Sequence, residues 1–393
     1  LWIWASWAWP IPALILGAGW SRLGRDAFEA ALLVTSAPSA FMRVVLPSLT
    51  RHAFIALLIL FVIFLGEYSV PHAQGVFVIA SDLLDTVSYG ERGAAVLAVV
   101  RGTVPSLAVI FVLAWLLKRW RRGVLSDVEH GGRIESARPP LLLTVLVLTI
   151  VGVTTVLPLA VILWRVTLIS DLAEALRTYS PELFGTLSIC LAVGVVTTLV
   201  GLSIANARRI RGLAVALTIA CGVVPGAAVG QAVLAAYQPS TSIHSLPFLA
   251  DLSGWIYDHW PIVVIGLSAR FAWLGALVGW LARASIPLPL LEQARVDGLS
   301  GRSEEIGLQV GYQWPALLSG IFLGAAMSMA ELSVVSIVRV PYPNMVAMIL
   351  IEKFHRFETG MLSALSLLLV ASVLPGAILM FVALRRRDRS CEL

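Results

Sequence analysis

Charge is what this sequence has least of. Only 13% of its 393 residues are Asp, Glu, Lys or Arg, and 59% are hydrophobic. Soluble domains carry about 25% charged and about 45–50% apolar residues. With a mean hydropathy of +0.90, a soluble enzyme, a disordered scaffold and a secreted disulfide module are all excluded. Cysteine is equally scarce: Cys190 and Cys221 fall inside apolar runs and Cys391 lies in the tail, which leaves no disulfide framework and no metal-ligand spacing. The chain has two lysines, Lys118 and Lys353, and neither follows a glycine. A Walker A loop requires Gly-Lys-Ser/Thr to cradle phosphates, so the chain has no ATPase site of its own. The six histidines are scattered and form no HExxH spacing. Neither a cofactor nor a catalytic residue is expected.

What is present is a series of long apolar runs. A spanning helix needs about 20 apolar residues, and nine runs qualify: 1–20, 49–66, 94–117, 141–164, 183–205, 212–237, 260–282, 316–338 and 361–384. Their continuity predicts an all-α, polytopic bundle of about nine transmembrane helices, because barrel strands alternate in polarity over about 10 residues. The net charge of +5 reads as cytoplasmic loop charge, not as a nucleic-acid surface. Loops 21–48, 118–140, 206–211, 283–315 and the tail from Arg385 hold 19 Lys and Arg, against 6 in the intervening loops. Basic loops lie inside, so Leu1 is expected outside and the C-terminus in the cytoplasm. Trp2, Trp4, Trp7 and Trp9, with Trp255, Tyr257 and Trp260, sit where interfacial aromatic belts belong. The chain begins at Leu1 inside an apolar run, with no Met and no basic segment before it. That start reads as an incomplete N-terminus, not a signal peptide.

The sequence also repeats. Phe28-Glu29-Ala30-Ala31 runs on to Leu46-Pro47, and Leu291-Glu292-Gln293-Ala294 runs through Gly298 to Trp314-Pro315. The spans that follow end in Glu67-Tyr68-Ser69-Val70 and Glu331-Leu332-Ser333-Val334. The first pair of glutamates lies 263 residues apart and the second pair 264. A common offset at matching topology indicates duplication. The expected organisation is a first repeat over 1–122, truncated at its N-terminus, a cytoplasmic linker over 123–140, and a second repeat over 141–393. Equal repeats would place about three further helices before Leu1.

These loops resemble the EAA loop of binding-protein-dependent ABC transporter permeases of the type I importer fold. That loop reads Glu-Ala-Ala, three residues, Gly, then a hydrophobic-Pro pair. Glu29, Ala30, Ala31, Leu46 and Pro47 match in the first copy, and Glu292, Ala294, Gly298 and Pro315 in the second. Phe184-Gly185-Thr186-Leu187 and the Pro225-Gly226 kink are similar to further features of the family. Two permease units fused in one chain resemble the ferric-iron and thiamine-type permeases. Thr35 stands at the first loop's glycine position, Gln293 replaces an alanine, and Trp314 replaces the usual leucine.

The resemblance implies a permease in the bacterial inner membrane. Its partners would be cytoplasmic ABC ATPase subunits docked on the two loops and an extracytoplasmic substrate-binding protein, with ferric iron among its substrates. Physically, Glu29 and Glu292 near a helix start suit the macrodipole. Gly298 can take the positive φ of a sharp turn, Thr35 forces the first loop to turn otherwise, and Pro47 and Pro315 fit the first turn of a span. Glu67, Glu331, Arg270 and Arg101 are charges within or near spans. They are expected either to line a path for a cationic substrate or to be solvated at the interface with one structural ion pair, Glu67 with Arg101. Gly194, Gly201, Gly226, Gly230, Gly275 and Gly279 permit close helix packing. A secondary transporter driven by an ion gradient is the competing class; it would call for paired acids and broken helices at the midplane.

Overall fold

The computed structural model describes residues 8–21, 25–65, 141–166, 169–207, 222–238, 247–284, 288–298, 301–340 and 342–390, with short stretches between 67 and 111 and at 214, 218 and 286. Most of the span expected at 94–117, the linker 123–140 and most of 208–221 lie outside the described residues. Every described element is a helix. Among the described residues four helices are long and apolar enough to cross a membrane, Thr144–Arg165, Asp171–Ala205, Pro261–Arg283 and Thr359–Leu379, and they mark the chain as a membrane protein. The chain divides into two compact units, 1–74 with 100–161 and 75–99 with 162–393.

In the first unit, α1 (Pro10–Ser21) packs on α4 (Leu46–Leu65), and between them come α2 (Arg25–Val34) and the single turn α3 (Ala37–Ala40). A π-helical segment, Phe41–Val45, leads directly into α4. A second, Gly152–Val156, joins α5 (Leu141–Val151) to α6 (Leu157–Arg165). Both π segments end immediately before a Leu-Pro pair, Leu46-Pro47 and Leu157-Pro158. A proline inside a helix lacks an N–H and collides with the carbonyl four residues back, and one widened turn relieves both problems without breaking the rod. Pro47 therefore does not open a separate span as expected; the helix runs through it. The Trp9 indole donates to the Thr154 hydroxyl at 2.8 Å.

The second unit is built around α7 (Ile169–Ala205), α10 (Pro261–Ala284) and α12 (Arg302–Met329), with α15 (Thr359–Ser390) against α7 and α12. Where α7 crosses α10, Cβ atoms on Gly201, Gly275 and Gly279 would collide with the partner helix's backbone, and one on Gly194 with that of α12. Without driving force from water, such helices associate through close backbone approach, so these glycines set the interhelical distance.

Three spans differ from expectation. The helix drawn from 183 begins at Ile169, and the polar stretch before Pro181 belongs to it. The span expected at 316–338 is broken: α12 ends at Met329, and a short helix α13 (Ser333–Ile337) follows. The 212–237 run is also interrupted, at Val224 and Pro225, before α8 (Gly226–Tyr237). The remaining elements are α9 (Pro247–Asp258), α11 (Leu288–Val296) and α14 (Val346–His355).

Candidate functional site

The second loop is a compact device between α10 and α12. Glu292 is the fifth residue of the nine-residue α11, exposed, with no acid in the first turn. The macrodipole reading is corrected here: Glu292 lies past the turn where that field acts. Ala294 is half-buried. Asp297 N–H donates to the Gln293 carbonyl at 2.9 Å, and Gly298 then turns the chain at φ +96° with nothing near the position of a Cβ. Glu304 reaches back to the N–H of Gly301 at 3.0 Å and so opens α12, one half of a capping box.

Pro315 lies inside α12, two residues beyond Gln313, whose φ −112° and ψ 16° leave the helical range. The helix kinks there and continues, so Pro315 starts the second straight segment and not the helix itself.

The first loop has the same local plan. Glu29 is the fifth residue of the ten-residue α2 and is exposed, as is Ala30, and Ala31 is half-buried. Thr35 N–H still donates to the Ala31 carbonyl at 3.0 Å, and the chain bends at Thr35. Among the described residues Phe357 is the non-glycine residue with positive φ, so Thr35 turns the loop without the conformation that Gly298 uses. One helical turn after each glutamate stands an aliphatic side chain in the open: Leu33, 89% exposed, and Val296, 87%. Residues i and i+4 share a helix face, so each loop helix presents a carboxylate and an apolar knob together.

Deeper in the second unit lies a buried charge node. Arg270, ten residues into α10 and only 4% exposed, donates through Nη1 to the carbonyls of Gly222 at 2.8 Å and Val224 at 2.6 Å. Its Nε lies 3.8 Å from Glu331 Oε2. These carbonyls belong to the interruption before α8, where the helix has no N–H for them; a chain break at membrane depth must find such partners inside the protein. Glu331 Oε1 in turn accepts the N–H of Val334 at 3.2 Å, opening α13. Gly226 leaves this carboxylate room, since a Cβ there would come within 2.7 Å of Glu331 Oε1. Arg270 and Glu331 thus hold two helix breaks against α10.

Glu67 repeats part of this arrangement in the first unit. Both its carboxylate oxygens accept the Val70 N–H at 3.3 Å, and its own N–H donates to Phe64 at 3.3 Å, as Glu331 N–H does to Ser328. Among the described residues no group of three or more His, Cys, Asp or Glu is placed to hold a metal.

A third constellation escaped the sequence reading. Asn206 at the end of α7 donates to Gln309 Oε1 at 2.8 Å, and Arg283 on α10 donates to Asn206 Oδ1 at 2.8 Å. The other Arg283 nitrogen lies 3.9 Å from Glu305 Oε2. Glu305, Gln309 and Gln313 recur every fourth residue on the buried face of α12. That polar stripe in a helix beside a membrane was the available signal.

The sequence matches no known family profile and no characterised protein.

Proposed function

We propose that the chain is the membrane permease of an ABC importer, two permease repeats in one polypeptide, driven by a separate cytoplasmic ATPase. The observation that carries this reading is the pair of loop helices. Each offers an exposed glutamate at its fifth position and an exposed aliphatic residue one turn later, beside a bend. A loop gains nothing from an apolar knob held in water, whereas an exposed apolar residue beside a carboxylate is what a docking cleft accepts. The matching turns at Glu67 and Glu331 support a duplicated unit. In this reading the loops face the cytoplasm of a bacterial cell and ATP-driven closure of the ATPase moves them. A binding protein delivers substrate to segments 66–93, 165–182, 238–259 and 339–360 on the other side.

Ferric iron as substrate rests on the family resemblance alone. The Arg270–Glu331 pairing favours the structural role for these two charges, because an arginine beside a carboxylate repels a cation. The same pairing at two helix breaks is the observation that favours an ion-coupled transporter as the second reading. Purification from membranes separates them. A permease brings a P-loop ATPase with it, and Glu292→Arg lowers its recovery while the chain stays inserted. Uptake that persists without any ATPase and collapses with an uncoupler supports the second reading.

A further inference from the structure

The kink at Gln313 raises a mechanical question. The segment of α12 from Arg302 to Gln313 is joined to the rest of the helix through a residue with non-helical backbone angles, and Gly307 and Gly311 on its outer side have nothing within 4 Å of a Cβ position. A segment so hinged would pivot when the adjacent loop is pushed, and the push would be lost. Three side-chain links prevent this. Gln309, 0% exposed, takes the Asn206 amide. Asn206 is itself anchored by a second bond from Nδ2 to the Leu202 carbonyl at 2.8 Å and takes the Arg283 guanidinium on its oxygen. Arg283 faces Glu305. The links tie the hinged segment to the loop-proximal ends of both α7 and α10. The Asn206–Gln309 bond is buried and the two Arg283 links are part-buried, so water competes little for them.

We propose that Asn206, Arg283, Glu305 and Gln309 form a clasp that makes the loop-proximal half of α12 move as one body with α7 and α10, carrying force from the Glu292 loop into the bundle. This rests on the proposed function for its purpose, but the mechanical statement stands on the second unit alone. The four are positioning residues: none has to touch substrate or ATP. The design also explains why polar groups are buried here at all. Apolar packing alone would allow the helices to slide, whereas directional bonds fix one register.

The test uses the full-length chain in nanodiscs, with spin labels at Gly307→Cys on α12 and Leu281→Cys on α10. Both positions are exposed, Cys221 and Cys391 are replaced by serine, and Cys190 is buried. The measured quantity is the distance distribution between labels. In the otherwise unchanged chain it is narrow. It keeps its mean to within about 2 Å when the associated ATPase is trapped with ATP and vanadate, no more than an ordinary helix shift at an interface. Gln309→Leu broadens it and, on trapping, moves it by about 5 Å, a full helical turn. Gln309→Glu keeps the acceptor for Asn206 and restores the narrow distribution; Asn206→Leu repeats the Gln309→Leu result by removing the other partner. ATP hydrolysis continues in the leucine variants, while substrate moved per ATP falls about fivefold. A distribution in the unchanged chain that shifts on trapping, or leucine variants that stay narrow, overturns the clasp. If no ATPase accompanies the chain, the functional reading fails, and the label distances without nucleotide still decide whether the clasp holds.

Discussion

Replacing Arg270 with methionine tests whether the two helix breaks of the second unit depend on a single side chain. The substitution keeps an unbranched apolar stem of similar length and removes the guanidinium. Two charge-assisted hydrogen bonds to the Gly222 and Val224 carbonyls are lost; bonds to charged groups contribute about 1.5–3 kcal/mol each. Glu331 loses its counter-charge at 3.8 Å, and breaking a buried pair costs about 3–5 kcal/mol. These terms overlap, because one group serves all three partners. Glu331 also keeps the Val334 N–H and retains slight exposure. The expected net destabilisation is therefore about 3–5 kcal/mol. Adding Glu331→Gln should recover part of the loss, since a neutral amide no longer needs a cation, but not the part due to the carbonyls. Reversible unfolding in mixed micelles, read by circular dichroism over the double-mutant cycle, measures all three. An Arg270→Met variant within about 0.5 kcal/mol of the parent, the range of an ordinary surface change, would refute the claim that the node holds the breaks.

Further outcomes are expected elsewhere. Gly275→Leu or Gly201→Val should abolish the folded second unit, because the added side chain meets the facing backbone; gel-filtration yield in detergent reads this. Gly307→Ala, in open space on a helix, should instead stabilise by up to about 1 kcal/mol in the same unfolding assay. Lys353 is held above its ordinary value chiefly by the 2.6 Å bond to Glu358, with Tyr179 adding to it. Its contribution is therefore full below the ordinary lysine value of about 10.4 and is lost as pH rises through the higher native value. Lys353→Met should remove that alkaline decline from a stability–pH curve. Glu29→Arg should reduce ATPase recovery less than Glu292→Arg does, if the turn at Thr35 couples more weakly than the glycine turn at Gly298; an equal or greater loss would contradict this asymmetry.

Much of the architecture was legible because long apolar runs have one stable outcome in a bilayer. The run drawn at 260–282 is the helix Pro261–Ala284, and that drawn at 361–384 lies within Thr359–Ser390. The interruption at Val224 and Pro225 was announced by Pro225-Gly226 itself. The break after Met329 was not, since no Gly or Pro stands between Gly324 and Pro341. It is made by Glu331 bonding to Val334 and by Arg270 arriving from another helix, a tertiary cause that no local pattern carries. The extension of α7 to Ile169 was not legible because Asp171, Glu174 and Arg177 interrupt the apolar pattern, although they stand among good helix formers. Pro47 and Pro315 were read as starts; one follows a π turn and the other a kink, and both devices keep a helix continuous through a proline. The clasp stayed hidden because Asn206, Arg283 and Gln309 are far apart in sequence, and only folding joins them.

The most direct measurement of the central claim is contact between the loop knobs and an ATPase. A photo-crosslinking residue placed at Leu33 or at Val296, in membranes from cells expressing the full chain, should yield an adduct with a P-loop ATPase from each position, weakened by Glu29→Arg and Glu292→Arg respectively. Adducts with lipid or with this chain alone from both positions, while uptake continues without ATP, would contradict it.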